Sequence, residues 1–180
     1  MTKRLGITGG IGSGKSHVAR LLTEQYGGPV YDTDSRAKAL MATSTTIREG
    51  LTALLGEGYD KKTIADFLFA SPENAAKVNA IVHPAVKDDY LRWVAEQTAD
   101  VVAVESAILI EAGFDTLVDC VVVVTAPREI RIQRAMRRDG STRADVERRM
   151  ALQMSDEERA LHADVLVVND GRELNLSSLL

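Results

Sequence analysis

Apolar residues recur along the chain in two rhythms. Short, nearly continuous runs stand at Leu5, Ile7 and Thr8, at Val101, Val102, Ala103 and Val104, at 121–125, and at 165–168. Such runs have the length of strands buried on both faces, the habit of a parallel sheet. A shorter run at Val30 and Tyr31 predicts one more strand. Between the first two strands, Val18, Ala19, Leu21 and Leu22 return at helical spacing until Gly27, Gly28 and Pro29 stop the helix. From 44 to 98 only the helical rhythm is heard: Ile47, Leu51, Leu54 and Leu55, then Ile64, Phe67 and Leu68, then Val78, Ile81 and Val82. The pattern predicts an α/β domain interrupted by a helical insertion over 44–98. Asp60 and Ser71 read as helix starts, and His83-Pro84 as a break followed by a new helix with proline in its first turn. Tyr90 and Trp93 on the last of these helices read as core packing.

The first strand and first helix are joined by Gly9-Gly10-Ile11-Gly12-Ser13-Gly14-Lys15-Ser16, which meets the pattern G-x-x-x-x-G-K-[ST] at every fixed position. Glycines let the backbone curl tightly so that N–H groups reach phosphate oxygens directly. Gly10, Ile11, Gly12, Ser13, Gly14, Lys15, Ser16 and His17 are therefore candidate nucleotide contacts. Lys15 would reach the β- and γ-phosphates, Ser16 would ligate Mg²⁺, and the helix N-terminus favours the same anion. A purine triphosphate site in a single domain over 1–180 follows.

Length and composition agree with one such domain, since 180 residues with 45% hydrophobic content can build a core. The net charge of −4 offers no general attraction to nucleic acid or an anionic membrane. A single cysteine, Cys120, beside a valine run suits a buried strand in a reducing cytoplasm. With no signal-like or membrane-length apolar run, the expectation is a soluble, unprocessed, cytoplasmic protein.

Acids stand at the ends of two strands, where ligands bind in open α/β sheets. Asp32 and Asp34 follow the second strand and Glu105 ends the third. Asp32 suits Mg²⁺ ligation. Asp34 suits either acceptance of a proton from a substrate hydroxyl or capping of the helix that follows. Glu105 could orient metal-bound water or pair with Lys15. Positive charge is concentrated elsewhere: 128–149 holds eight arginines and four acids, +4 within a chain of −4. Arg131, Arg134 and Arg138 share one helical face. Arginine is the usual donor around a transferred phosphate, so Arg134 and Arg138 are candidate catalytic residues. The two helices joined at Gly140 read as a lid over 128–154. Asn169, after the last strand, is placed to meet a purine ring. His83 lacks partners at ligand spacing for zinc and is a candidate substrate contact.

These residues resemble the dephospho-CoA kinase family over nearly the whole chain. The marks are Ile7 to Ser16, Asp32-Thr33-Asp34, His83-Pro84, the segment 105–111, 134–140, Gln153, Ala163-Asp164 and Asn169-Asp170-Gly171. Departures from the family pattern lie at His17, Lys61-Lys62 and 106–111. The resemblance implies a P-loop nucleotide kinase-like three-layer α/β fold with a five-stranded parallel sheet in the order 2-3-1-4-5. It further implies phosphorylation of the ribose 3′-hydroxyl of dephospho-CoA by ATP with Mg²⁺, Asp34 as catalytic base, the helical insertion as the CoA-binding part and the arginine-rich helices as the lid. Other P-loop nucleoside or nucleotide kinases would share the loop, the base and the lid. A regulatory GTPase is disfavoured because the chain has neither N-K-x-D nor D-x-x-G.

Overall fold

The strands are β1 (Lys3–Thr8), β2 (Val30–Asp32), β3 (Val101–Glu105), β4 (Cys120–Thr125) and β5 (Val165–Val168) in a computed structural model that describes residues 2–174 and Leu176. They pair in the order β2-β3-β1-β4-β5, every pairing parallel, as the resemblance implied. The physical cause lies in composition. β3 and β4 are buried along all but their last residue, which only a sheet covered on both faces allows. On β1 the pleat divides the work. Leu5 and Ile7 join the core with Val18, Ala19 and Leu22 of α1 (Lys15–Tyr26). On the other face Gly6 keeps the room that Leu109 and Val118 fill, both 3.0 Å from where a Cβ would stand. Cys120 is buried as expected, and burial raises its thiol pKa.

Parallel pairing brings the C-terminal ends of all strands to one edge. Asp32 lies opposite Glu105, Ile7 opposite Glu105, and Thr125 opposite Val168. The loops leaving that edge carry the candidate chemistry.

The chain divides into two compact units, 1–32 with 97–180, and Thr33–Glu96. The second unit holds α2 (Thr33–Thr43), α3 (Thr45–Leu55), α4 (Lys61–Ala70) and α5 (Pro72–Ala95), so α2 belongs with the helices of the insertion. Two of their starts, at Asp60 and Ser71, are those read from sequence. Ser44 and Ser71 accept backbone N–H bonds as N-caps and Asp60 forms a capping box with Thr63, each cap worth about 1 kcal/mol. Arg36 donates two 2.8 Å bonds to the buried Asp89, fastening α2 to α5. Tyr90 is fully buried and stacks on Trp93, as expected for core packing.

One expectation fails here. The helix does not break at His83-Pro84; α5 runs through Pro84 without interruption. Proline inside a helix costs about 3 kcal/mol. Val78, Val82, Val86 and Tyr90 are all buried at four-residue spacing across it, and burial of each apolar side chain returns about 1.5–3 kcal/mol. Packing on both sides of the proline therefore outweighs the local defect.

After β4 the first unit adds α6 (Arg128–Asp139), α7 (Arg143–Ala151) and α8 (Asp156–Ala160), with Gly140 closing α6 in a left-handed conformation at φ 64°. Among the described residues no helix is long and apolar enough to cross a membrane.

Candidate active site

The glycine-rich loop leaves β1 and turns into α1, whose first residue is Lys15. Positive φ at Gly12 and Gly14 shapes the curl. Above the loop is a cavity of about 210 Å³ lined by Gly12, Gly14, Lys15, Ser16, Arg134 and Arg138, with Ala135. Three side-chain cations thus surround a space that also receives the positive end of α1. Such a site is built for a highly charged anion, because each cation and the helix terminus lower the cost of assembling phosphate charge there.

The loop is fastened from behind by side chains that belong to distant parts of the chain. Ile11 N–H donates to Gln153 Oε1 at 2.9 Å, and Arg131 Nε donates to the Ile11 carbonyl at 2.9 Å. Asn169 Nδ2 donates to the Ser13 carbonyl at 2.9 Å, and Arg134 donates to the Asn169 carbonyl at 3.0 Å. Arg131 also pairs with Asp156, which accepts a 3.4 Å bond from the fully buried Arg159. Burial pulls the Arg131 pKa below the ordinary arginine value, with Asp156 acting against it. Asn169 itself is buried, so its amide is engaged by the loop.

The acidic edge stands beside this cradle. Ser16 Oγ donates to Glu105 Oε1 at 2.7 Å, and Asp32 faces Glu105 across the β2–β3 pairing. Sequence reasoning offered Glu105 as a partner for Lys15 or for metal-bound water, and the Ser16 hydroxyl is one neighbour that it has. A hydroxyl and two carboxylates within one short stretch of sheet edge are hard oxygen donors of the kind Mg²⁺ takes. No cluster of three or more acidic, histidine or cysteine ligands occurs among the described residues. His17 lies on the exposed side of α1, its Nδ1 3.0 Å from Arg20.

The arginines of α6 and α7 divide into two groups. Arg131 and Arg134 hold the loop and its support, while Arg138 reaches the cavity wall and binds Asp139 at 2.6 Å. Arg138 and Arg149 together hold the Asp139 carboxyl far below its usual range. Three others form exposed ion pairs, Arg128 with Glu147, Arg143 with Glu129 and Glu147, and Arg148 with Asp145. For that group the charge run is a solvated helix face, not a set of phosphate ligands.

In the helical unit, Asp34 is exposed in the first turn of α2 and is not its cap. Chain geometry keeps its Cα within about 7 Å of that of Asp32, two residues back. His83 is half-buried on α5, and burial, with Lys87 nearby, lowers its pKa toward the neutral ring. This unit also contains a cavity of about 610 Å³ whose walls include Lys38, Met41, Tyr59, Lys61, Ile64 and Phe69. Sequence reasoning did not find it, since its walls come from α2, α4 and the turn before α4.

The arrangement has relatives. The sequence model of the dephospho-CoA kinase family matches residues 4–175. A dephospho-CoA kinase of Bacteroides fragilis is 44% identical over 180 residues, spanning 96% of this chain and 87% of its own. One from Porphyromonas gingivalis is 45% identical over 172 residues, spanning 92% and 85%. Among solved structures, TT1252 from Thermus thermophilus superposes with a TM-score of 0.82 at 34% identity, over 94% of this chain and 90% of that one. A shikimate kinase from Acinetobacter baumannii, at 17% identity and a TM-score of 0.59 over 96% and 86% of the two chains, shares the fold alone. With a phosphate loop, strand-end acids and paired arginine helices set on this sheet order, and with relatives matched along nearly its whole length, the chain belongs to the dephospho-CoA kinase family.

Proposed function

We propose that the protein transfers the γ-phosphoryl group of ATP to the ribose 3′-hydroxyl of dephospho-CoA, giving coenzyme A and ADP, the last step of coenzyme A biosynthesis. The observation that carries this reading is the loop cavity with Lys15, Arg134 and Arg138 on its walls, in a chain matched to this family from residue 4 to 175.

The chemistry follows from the groups present. Phosphoryl transfer moves negative charge onto the equatorial and bridging oxygens, so fixed cations help most where that charge grows. Lys15 follows the γ-phosphate into the transition state, and Arg134 and Arg138 supply planar donors to it. Loop N–H groups at Gly12, Gly14, Lys15 and Ser16 bind the nucleotide, while those of Ile11, Ser13 and His17 are engaged within the protein, and Asn169 steadies the wall beside it. Ser16 and Asp32 would hold Mg²⁺, with Glu105 orienting the Ser16 hydroxyl or a bound water; the ion supplies charge neutralisation to the phosphates. Asp34 orients the acceptor hydroxyl and takes its proton as the new oxygen–phosphorus bond forms. The acceptor is held by the helical insertion, 44–98 together with α2, with His83 among its contacts. The apolar walls of the larger cavity suit a pantetheine arm, and Lys38 and Lys61 at the same cavity suit its phosphates. The two helices of 128–154 act as the lid that keeps water from competing with the acceptor.

The test is ADP formation from ATP and Mg²⁺ with dephospho-CoA, set against a panel of nucleosides, nucleoside monophosphates and shikimate, with the product's phosphate located by ³¹P and ¹H NMR. Turnover that requires dephospho-CoA and yields the 3′-phosphate is expected. Preference for another acceptor, or phosphate on a different oxygen, would overturn the reading.

A further inference from the structure

Two side chains grip the two peptides that meet at Ile11 in the phosphate loop. Ile11 offers its N–H to Gln153 Oε1 and its carbonyl to Arg131 Nε, both at 2.9 Å. Neither partner is local, since 142 and 120 residues separate them from Ile11. Arg131 is 5% exposed and is itself held, its other arm paired with Asp156, which also accepts from the buried Arg159. Gln153 stands just past the end of α7, its own N–H donating to the Met150 carbonyl at 3.2 Å. The fit leaves no slack: a Cβ on Gly10 would come within 2.1 Å of Arg131 Nη2, and one on Gly12 within 2.2 Å of the Arg131 carbonyl oxygen.

We infer that Gln153 and Arg131 are positioning residues that preset the phosphate loop for nucleotide, acting through the backbone N–H and carbonyl of Ile11 and not on the phosphates. A loop of four glycines has many conformations, and a ligand that selects one must offset the entropy of the others. Fixing the N–H of one peptide plane and the carbonyl of the next, on either side of Ile11, removes much of that cost before nucleotide arrives. It also leaves the cavity to the N–H groups further along, for Gly12, Gly14, Lys15 and Ser16 line it and Ile11 does not.

The grip has a second consequence. Arg131 precedes Arg134 by one turn of α6, the helix that carries both cavity arginines, and Gln153 follows α7, which packs against α6. Displacing either helix at its root would release one of the two Ile11 backbone groups. Loop shape and the placement of Arg134 are therefore coupled, and closure of these helices must pivot beyond Arg131. This inference rests on the nucleotide-site reading but not on the identity of the acceptor.

The test is Gln153→Met, which keeps length and removes the strong acceptor, read in the full chain at a temperature where both proteins are folded. Residue-resolved hydrogen exchange of the Ile11 amide and ADP affinity in the presence of Mg²⁺ are measured without acceptor. Exchange at Ile11 should quicken and the ADP Kd should rise about three- to tenfold, the worth of one neutral hydrogen bond. In turnover with dephospho-CoA the KM for ATP should rise by more than kcat falls. Gln153→Glu, which keeps an oxygen acceptor, should return the Ile11 amide to slow exchange. Unchanged Ile11 exchange in Gln153→Met would show that there is no clamp. Faster exchange with an unaltered ADP Kd would show that the clamp positions nothing. Either result overturns the inference, and neither depends on which acceptor the enzyme uses.

Discussion

Alanine at Gly12 separates backbone strain from close approach, provided Gly27 is changed in parallel. Both glycines have positive φ, 75° and 64°, so both alanines incur the left-handed cost of about 1–2 kcal/mol. Their surroundings differ. Nothing lies within 4 Å of a Cβ built on Gly27, whereas on Gly12 it would stand 2.2 Å from the Arg131 carbonyl oxygen and 2.7 Å from its carbonyl carbon. Ordinary contact requires a displacement of about 1 Å, and the obstacle is helix backbone, not a side chain that can turn aside. Overpacking of this kind adds about 1–3 kcal/mol. Gly12→Ala should therefore cost about 2–5 kcal/mol and Gly27→Ala about 1–2 kcal/mol. At about 2–4 °C per kcal/mol for a chain of this size, the two thermal midpoints should be distinguishable. Function should separate them further. A loop pushed away from Arg131 loses its register with Arg134 and Lys15, so ADP affinity measured by calorimetry should fall at least about tenfold in Gly12→Ala, the worth of about 1.4 kcal/mol. Gly27→Ala, at the far end of α1, should bind ADP like the parent. Equal midpoints and equal ADP affinities in the two variants would refute the claim that contact with α6 governs the loop.

Other predictions are as concrete. Asp34→Asn keeps shape and loses basicity, so single-turnover transfer should slow by about 10²-fold or more while ADP and dephospho-CoA bind nearly as in the parent; a parental rate would remove Asp34 from the role of base. Hydrogen exchange across 128–149 should slow when a non-hydrolysable ATP analogue and dephospho-CoA are both bound, and unchanged exchange at confirmed occupancy would reject closure of these helices. Arg4 donates to the Asp119 carboxylate and lowers its pKa. Because the folded value is depressed, the stability it contributes is complete above the unfolded value of about 4 and is lost as pH falls through the lower folded value. The gap in urea midpoint between parent and Asp119→Asn should accordingly be steady above pH ~5 and close on acidification; a gap that persists undiminished in acid would contradict the pairing.

Much of this protein is written in short-range pattern. The five strands, the phosphate loop, the caps at Asp60 and Ser71 and the acids at the ends of β2 and β3 could be read directly, because each depends on residues within one or two turns of chain. The strand order came from family resemblance, since apolar runs alone do not say which neighbours pair. Three matters waited for tertiary structure. Pro84 reads locally as a break, yet the buried stripe from Val78 to Tyr90 carries α5 through it. The arginine face on α6 reads as uniform, yet Arg131 is buried against Ile11 and Asp156 while Arg138 stays exposed beside Asp139. Gln153 and Asn169 carry no local mark of their task, for the carbonyl or N–H that each satisfies lies 142 or 156 residues away. Periodicity reports which face of an element turns inward. Which backbone group it meets there is decided by the packing of distant segments, and hydrogen bonds, being satisfied only within about 3 Å, record that packing and nothing shorter in range.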